Sequence, residues 1–490
     1  MQTESRVMCH KSTILRSRMK SVVNGTKLKT LVSLPGPKRL SLLGPLNEVI
    51  QLGNPKTLHQ KISKYHKKFG PLFKIKMSET TAVFIEDPDM MRSVFEYEGK
   101  HPKHPVPEAW TYFNRKHNCK RGLFFMDNEE WFYYRKLLNE HIMRDVDWMK
   151  DPIKRICDKT VTNLPQYGKN NTSGNQVFEI HNLEPILYKW SVEVILCIML
   201  GSSYNDRNAM KLNDMIDEFS NVVYQIFQYS SKLMTVPPYL ADRLQLNAWR
   251  RFEEIVPKTL SIANKIIDTA LDDLERGDGL LSKLQESIPS REDVKRIFAD
   301  FIIAAGDTTS FSTLWCLYLL AQNEPIQEQI RTHNTHDNFK SPLIRGTIKE
   351  ALRLFPVAPF IGRVLEKDAI IGDFLIPKNT LAILSLYTAG RARSNFYNPN
   401  EFLPQRWIRD EFNNTPFLPF RTNASLPFAI GIRSCIGRRI AMYQMQFLIS
   451  KILKTYCLTI MNGSDVEAEL KLVTVPNTRI KMVFQQCGKS

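Results

Sequence analysis

Apolar residues recur at every third or fourth position through several long stretches of this chain, whereas strict alternation is confined to short ones. The helical period runs through residues 57–69, 129–143, 183–200 and 211–233. It is longest over 291–322, where Ser290 and Asp293 supply a start signal and Pro325 is the expected stop. At 1.5 Å per residue that helix spans about 45 Å, enough to cross a whole domain. A further helix is predicted from Ser341-Pro342 to just before Pro356, and another over 436–456. Residues 72–77 and 81–85 alternate like the arms of a hairpin. Residues 99–122 are rich in Pro, His and aromatic side chains and read as a long loop, 166–176 as a polar loop, and 399–426 as a long irregular stretch. The pattern predicts a mainly α protein with small β-sheets.

Nothing in the middle of the 490 residues resembles a linker or a repeat, so residues 34–490 are expected to form a single domain. Residues 1–33 form a separate leader. They carry Arg6, Lys11, Arg16, Arg18, Lys20, Lys27 and Lys29 against one acid, Glu4, with several serines and no apolar run long enough for a bilayer. Such a basic, hydroxyl-rich leader reads as a mitochondrial targeting sequence, or as a plain basic tail. It ends at Leu34-Pro35-Gly36-Pro37, a rigid turn. The net charge of +17 suits a nucleic acid, an acidic protein or a membrane surface. No zinc-finger spacing or RNA-binding aromatic motif is present, so nucleic acid is not an expected partner. The eight cysteines contain no C-x-x-C pair and read as scattered reduced thiols.

One of those cysteines stands apart. The segment Phe428-x-x-Gly431-x-Arg433-x-Cys435-x-Gly437 brackets Cys435 with glycines and places an arginine two residues before it and a helix after it. A thiolate is the metal-binding form of cysteine, and a helix N-terminus lowers a thiol's pKa. Two glycines let the backbone turn tightly and approach a flat ring, and a guanidinium matches carboxylate geometry. The segment resembles the F-x-x-G-x-R-x-C-x-G signature of the cytochrome P450 family at every fixed position. The resemblance implies that family's fold, with haem between the long central helix and the cysteine-loop helix, and a thiolate–iron bond from Cys435. Phe428, Arg433 and Gly437 are then part of the haem cradle.

Other segments follow the family's order. Ala304-Ala-Gly306-Asp307-Thr308-Thr309 places an acid and two hydroxyls in an apolar helix centre, a costly choice unless they are used. It resembles the family's A-G-x-D/E-T-T segment, with Ala305 where glycine is usual. The resemblance implies that Asp307 and Thr308 relay protons to oxygen. Glu350-x-x-Arg353 and Phe402-x-Pro404-x-Arg406 resemble the family's structural charge triad. Trp131-x-x-x-Arg135 resembles the W-x-x-x-R that reaches a haem propionate, and Arg363 stands where another propionate-binding arginine is usual.

No nucleotide-binding glycine motif is present, so electrons are expected from another protein. Arg345 and Lys349 on one helix face, with Arg438 and Arg439, resemble the basic docking face of mitochondrial members, which implies a [2Fe–2S] ferredoxin with an NADPH-ferredoxin reductase. The apolar stretch 233–240 suits either a peripheral membrane contact or a buried connector. The stretches 104–114, 120–126 and 384–391 resemble the ecdysteroid 2-hydroxylases of arthropods, implying a steroid substrate hydroxylated at C2. A sister hydroxylase acting at another carbon, a reductant-independent thiolate-haem isomerase and a non-catalytic haem binder are the rival readings.

Overall fold

The computed structural model describes residues 28–38, 50–77, 80–144, 146–169, 177–234, 236–272, 277–288, 290–332, 341–409, 418–421, 423–463 and 466–487. The proposed leader lies outside these up to residue 27. Ordered chain is already present before Leu34, because Lys29–Thr30 pairs in parallel with Phe374–Ile376. Most of the expected loop 166–176 is likewise outside the described residues.

The frame is helical, and the 31-residue helix Arg291–Ala321 is its axis. Ser290 caps it, its hydroxyl accepting from the Asp293 N–H at 3.3 Å. Its last turn closes at Gln322, and Pro325 does not stop it. That proline lies in the first turn of the next helix, Glu324–Thr332, where a missing N–H costs nothing. Packed along the axis is Glu184–Leu200, apolar on all sides because it is buried on all sides. Among the described residues it provides the one stretch long and apolar enough to cross a membrane, and here it is a core helix.

Asn247–Asp272 packs against Asp206–Lys232, and Lys150–Asn163 against Arg438–Thr455. Neither Lys150–Asn163 nor Asn247–Asp272 was expected from the pattern. In the second of these, Pro257 interrupts the reading, but the helix still buries Trp249, Phe252, Ile262 and Ile266 on one face. Asn128–Asn139 ends in a single π-turn, Glu140–Arg144.

The expected loop 99–122 needs correction. It contains the helix Glu108–Lys116, which starts on Pro107 and buries Ala109, Trp110 and Phe113. Prolines and histidines at its flanks masked a short amphipathic turn pattern.

The sheets are small. The largest runs Leu72–Met77, Thr80–Ile85, Leu381–Ser385, Phe360–Val364; the first two strands are the expected hairpin, Thr80–Ile85 is parallel to Leu381–Ser385, and Phe360–Val364 is antiparallel to it. A second, Val177–Ile180, Met482–Gln486, Tyr456–Ile460, is antiparallel throughout. It brings Cys457 and Cys487, both free thiols as expected, together with sulfurs 3.2 Å apart.

The charge triad joins these parts. Glu350 accepts from Arg353 Nη2 at 2.7 Å, Arg406 Nε at 2.8 Å, Trp407 Nε1 at 2.8 Å and the Leu403 N–H at 3.1 Å. Arg353 also donates to the carbonyls of Gly390, Pro399 and Glu401. All three charged side chains are excluded from water. Each has its partners, which is what keeps a buried ion network from being a net cost. The irregular stretch before the cysteine loop is thus pinned to the helix Pro342–Leu354.

Candidate functional site

The cysteine loop is set by backbone hydrogen bonds and one carboxylate. The Cys435 N–H donates to the Phe428 carbonyl at 2.9 Å, and Ser434 N–H to Gly431 at 3.3 Å. Gly431 sits at φ +83°, and a Cβ there would lie 1.9 Å from Glu98 Oε1, so only glycine fits. Glu98 Oε1 instead accepts from the Ile432 N–H at 2.8 Å. The helix Arg438–Thr455 then begins with Gly437 as its cap.

Cys435 is accessible. Packed protein still pushes its thiol above the ordinary value, opposed by the N–H groups of Gly437 and Arg438 and by the charges of Arg135 and Arg438. The N–H groups at the helix start lower the thiol as expected, and loss of hydration is the larger, opposing effect. A Cβ on Gly437 would meet only the Cys435 sulfur, at 3.9 Å, so the flank beside the sulfur carries no side chain.

The helix Arg291–Ala321 contacts the helix that follows the cysteine. Between Ile297 and Ala321 every residue is buried or half-buried except Ala304 and Thr308, which lie one turn apart. Thr308 Oγ1 donates to the Ala304 carbonyl at 2.8 Å, the back-bond expected of a hydroxyl in a loosened turn. Asp307 points away from that exposed face. It is 1% exposed, its Oδ1 has no hydrogen-bond partner among the described residues, and burial followed by the charge of Glu184 pushes its carboxyl up to about 8.

Cations gather at the other side of the loop. Arg433 donates to the carbonyls of Pro102 and Met126, reaches Asp127 at 3.3 Å and stacks its guanidinium 4.7 Å from the Trp131 ring centroid. Arg363 pairs with Glu98 at 3.1 Å and leaves Nη2 unpartnered. Arg135 is buried, has no carboxylate partner among the described residues, and has an orphaned Nε. Burial pushes its guanidinium down to about 10, with Cys435 acting in the opposite sense and Arg433 adding to the fall.

Sequence reasoning missed His104 as a site residue. The bond from Val364 N–H to Lys103 O, 2.9 Å, brings this segment beside Arg363. Both imidazole nitrogens are buried and unpartnered, and burial with the charges of Arg433 and Arg363 pushes His104 down to about 3. The signal was a histidine between prolines, which is indistinguishable in sequence from a loop residue.

These atoms fit haem. An accessible thiol lies beside a side-chain-free flank, and small and hydroxyl residues lie exposed on the neighbouring helix. A buried arginine without a counter-ion, an unpaired Arg363 nitrogen and a neutral, unpartnered imidazole suit a pair of carboxylates. Phe428, Trp131 and Ile436 pack half-buried or buried around the same loop.

Comparison with known proteins agrees. Residues 34–484 match the family Cytochrome P450. The chain is 38% identical to "Cytochrome P450 315a1, mitochondrial" of Drosophila melanogaster, over 93% of this chain and 88% of the relative. It is 27% identical to "1,25-dihydroxyvitamin D(3) 24-hydroxylase, mitochondrial" of Mus musculus, over 93% and 89%, and 28% identical to "Sterol 26-hydroxylase, mitochondrial" of Homo sapiens, over 91% and 88%. Members of the family bind haem through a cysteine thiolate, as this loop is built to do. With the loop, the fold and the match along nearly its whole length in agreement, the chain belongs to the cytochrome P450 family.

Proposed function

We propose that this protein is a mitochondrial steroid hydroxylase that places a hydroxyl group at C2 of 2-deoxyecdysteroids, using electrons from a [2Fe–2S] ferredoxin and its NADPH-dependent reductase. The exposure of Ala304 and Thr308 within the otherwise covered stretch 297–321, on a helix that contacts the one following the accessible Cys435, carries the monooxygenase reading. The relatives named as mitochondrial hydroxylases of sterols and of a vitamin D metabolite support a steroid substrate. The likeness of residues 104–114, 120–126 and 384–391 to ecdysteroid 2-hydroxylases supports the carbon.

Cys435 would hold the haem iron, and Arg135, Arg433, Arg363 and His104 its propionates. Bound haem supplies the activation of dioxygen with two electrons. The residues of the chain do the rest. Trp131 stacks on Arg433 and keeps its fork from swinging to solvent. Asp307, whose carboxyl is pushed up to about 8 by burial and then by Glu184, would hold a proton on the buried side of the helix, one residue before Thr308. The intact pair argues against an isomerase, which needs no such proton supply.

A positive field at the face beside the cysteine loop supports the ferredoxin. Lys349 has its ammonium pushed down by burial and then by Arg345, Arg438 and Arg409. Such mutual repulsion is relieved by an acidic partner. Met234, Tyr239, Leu240, Leu244 and Leu246 are exposed around the short helix Pro238–Arg243, which favours peripheral contact with the matrix side of the inner membrane over a buried connector. The basic leader, residues 1–27 at least, is read as the address to that compartment.

Reconstitution with a ferredoxin, its reductase, NADPH and 2-deoxyecdysone or 2-deoxy-20-hydroxyecdysone tests the reading. Mass spectrometry and NMR are expected to locate the added oxygen at C2. A product oxidised at another carbon would remove the C2 assignment, and product formed without reductant would establish the isomerase.

A further inference from the structure

We propose that Glu184 and Tyr188 form a proton-entry relay that refills Asp307 from the side of the protein away from the cysteine loop. The proposal rests on the oxygen-activating reading of Asp307 and Thr308.

The central helix departs from the family's usual glycine placement, having Ala305 and then Gly306. The structure explains this by what lies against it. Tyr188, on the helix Glu184–Leu200, presses its phenol onto the backbone at Gly306, where a Cβ would meet the Tyr188 hydroxyl and Cζ at 2.4 Å. One turn on, Ser191 Oγ donates to the Ala305 carbonyl at 2.9 Å and fixes the two helices in register. The Tyr188 hydroxyl therefore lies where no methyl group fits, beside the residue that precedes Asp307.

Both polar ends are unsatisfied. The Tyr188 hydroxyl and Asp307 Oδ1 are buried without partners among the described residues. Two orphaned buried polar atoms on facing helices are a place for a bridging water. Each group also feels the other side: burial and then Asp307 raise Tyr188, and burial and then Glu184 raise Asp307.

Glu184 stands four residues before Tyr188, on the same helix face. It is half-buried, so it reaches solvent where Tyr188 does not. The charges of Lys471, at the end of the strand Ala468–Lys471, and of Arg479, just before the strand Met482–Gln486, oppose the upward push of burial. Acid and phenol, one helical turn apart, thus both bear on the acid at the helix centre. Each hop moves one proton inward. As Asp307 releases a proton towards the Thr308 hydroxyl, the Tyr188 phenol gives its proton to Asp307 through water while taking one from Glu184, which is refilled from solvent, so no buried phenolate forms. No electrons move, and the chain returns to its starting state.

The test uses the holoenzyme with ferredoxin, reductase, NADPH and a turned-over steroid, in the parent protein and in Tyr188→Phe, Glu184→Gln and Asp307→Asn. The reduced carbon monoxide spectrum checks that each variant holds haem. Tyr188→Phe keeps the ring that packs on Gly306 and removes only the relaying hydroxyl. In both Tyr188→Phe and Glu184→Gln, product per NADPH is expected to fall roughly tenfold, with peroxide released instead and an enlarged solvent deuterium isotope effect. Infrared spectroscopy supplies a readout independent of turnover. The protonated-carboxyl band absent from Asp307→Asn is expected to titrate at lower pH in Glu184→Gln, because a negative neighbour has been removed. Parent coupling and isotope effect in either relay variant, or an unmoved Asp307 titration in Glu184→Gln, would overturn the relay while leaving Asp307 in place. If Asp307→Asn itself leaves coupling unchanged, the oxygen-activating reading falls, and the relay with it.

Discussion

Glu350 and Arg406 lie 56 residues apart in sequence, yet Arg406 Nε donates to Glu350 Oε1 at 2.8 Å with both side chains fully excluded from water. Arg353 and Trp407 occupy the remaining carboxylate positions. Removing the carboxylate leaves two buried guanidinium groups facing one another, and removing one partner of a buried pair costs about 3–5 kcal/mol. Glu350→Ala is therefore expected to lower the thermal midpoint sharply and to abolish haem retention during purification. A variant with parent stability would contradict the assignment of this triad as structural.

Replacement of Cys435 by histidine or serine removes the proposed sulfur ligand and leaves the surrounding backbone bonds intact, because the loop is held by Cys435 N–H and Phe428 O and not by the side chain. The reduced parent protein exposed to carbon monoxide is expected to show the red-shifted Soret band of thiolate-ligated haem. The variants should fold and lose that band. Its persistence in Cys435→His would exclude this residue as the ligand.

Gly431→Ala tests the other side of the loop. The substitution has to escape φ +83° and a contact of 1.9 Å with Glu98 Oε1, the atom that receives the Ile432 N–H. Backbone strain and loss of that bond are together expected to cost about 2–4 kcal/mol. The cost should be read as a lower thermal midpoint and a reduced yield of haem-loaded protein. Because Glu98 also pairs with Arg363, the variant should release haem faster than the parent, measured by transfer to an acceptor globin.

Acid lability has a definite source. His66 donates from Nδ1 to the Gly70 carbonyl at 3.1 Å, so its Nε2 must accept from the Ser385 hydroxyl at 2.9 Å, and the ring is neutral. Burial pushes it down to about 4, and burial with the charge of Arg391 does the same to His59. A histidine depressed on folding binds its proton more readily in the unfolded chain. Its contribution is complete above about pH 6.5 and is lost as pH falls towards 4, on the order of 3 kcal/mol for each ring. Glu86, 3.9 Å from His66 and raised to about 7 chiefly by burial, acts in the opposite direction, losing its contribution as pH rises through 7. Denaturant midpoints are expected to drop between pH 6.5 and 4.5, with a shallower slope in His66→Gln. Equal slopes would show that this ring does not carry the proton linkage.

What could be read from the chain beforehand was what is local. Cys435 and its neighbours, the Glu350–Arg353 spacing and the Ser290 cap each fall within one turn or loop, where spacing alone dictates geometry. The contact of Arg406 with Glu350 was legible only through likeness to a family. Glu98, His104 and Tyr188 were illegible because each acts across the fold: Glu98 on the backbone of residue 432, His104 beside Arg363 and Arg433, Tyr188 against Gly306. The helix Glu108–Lys116 was lost for a different reason, since flanking prolines outweigh a nine-residue pattern in any local reading.

The proposed docking surface is best tested away from the cysteine. Arg345 is exposed, and its charge contributes to lowering Lys349. Arg438 lies beside Cys435 and acts on the thiol, so its replacement would mix two effects. Arg345→Glu changes the local charge by two units without touching the loop. Oppositely charged partners gain about 10- to 1,000-fold in encounter rate from steering, and the gain falls steeply with salt. Stopped-flow reduction by the ferredoxin is therefore expected to slow by roughly tenfold or more at low ionic strength, and the difference should shrink as salt is raised. Reduction by dithionite, a small anion that needs no docked protein, should match the parent. Equal slowing with both reductants would place the effect at the haem, and parent rates with the ferredoxin would move the docking site off this face.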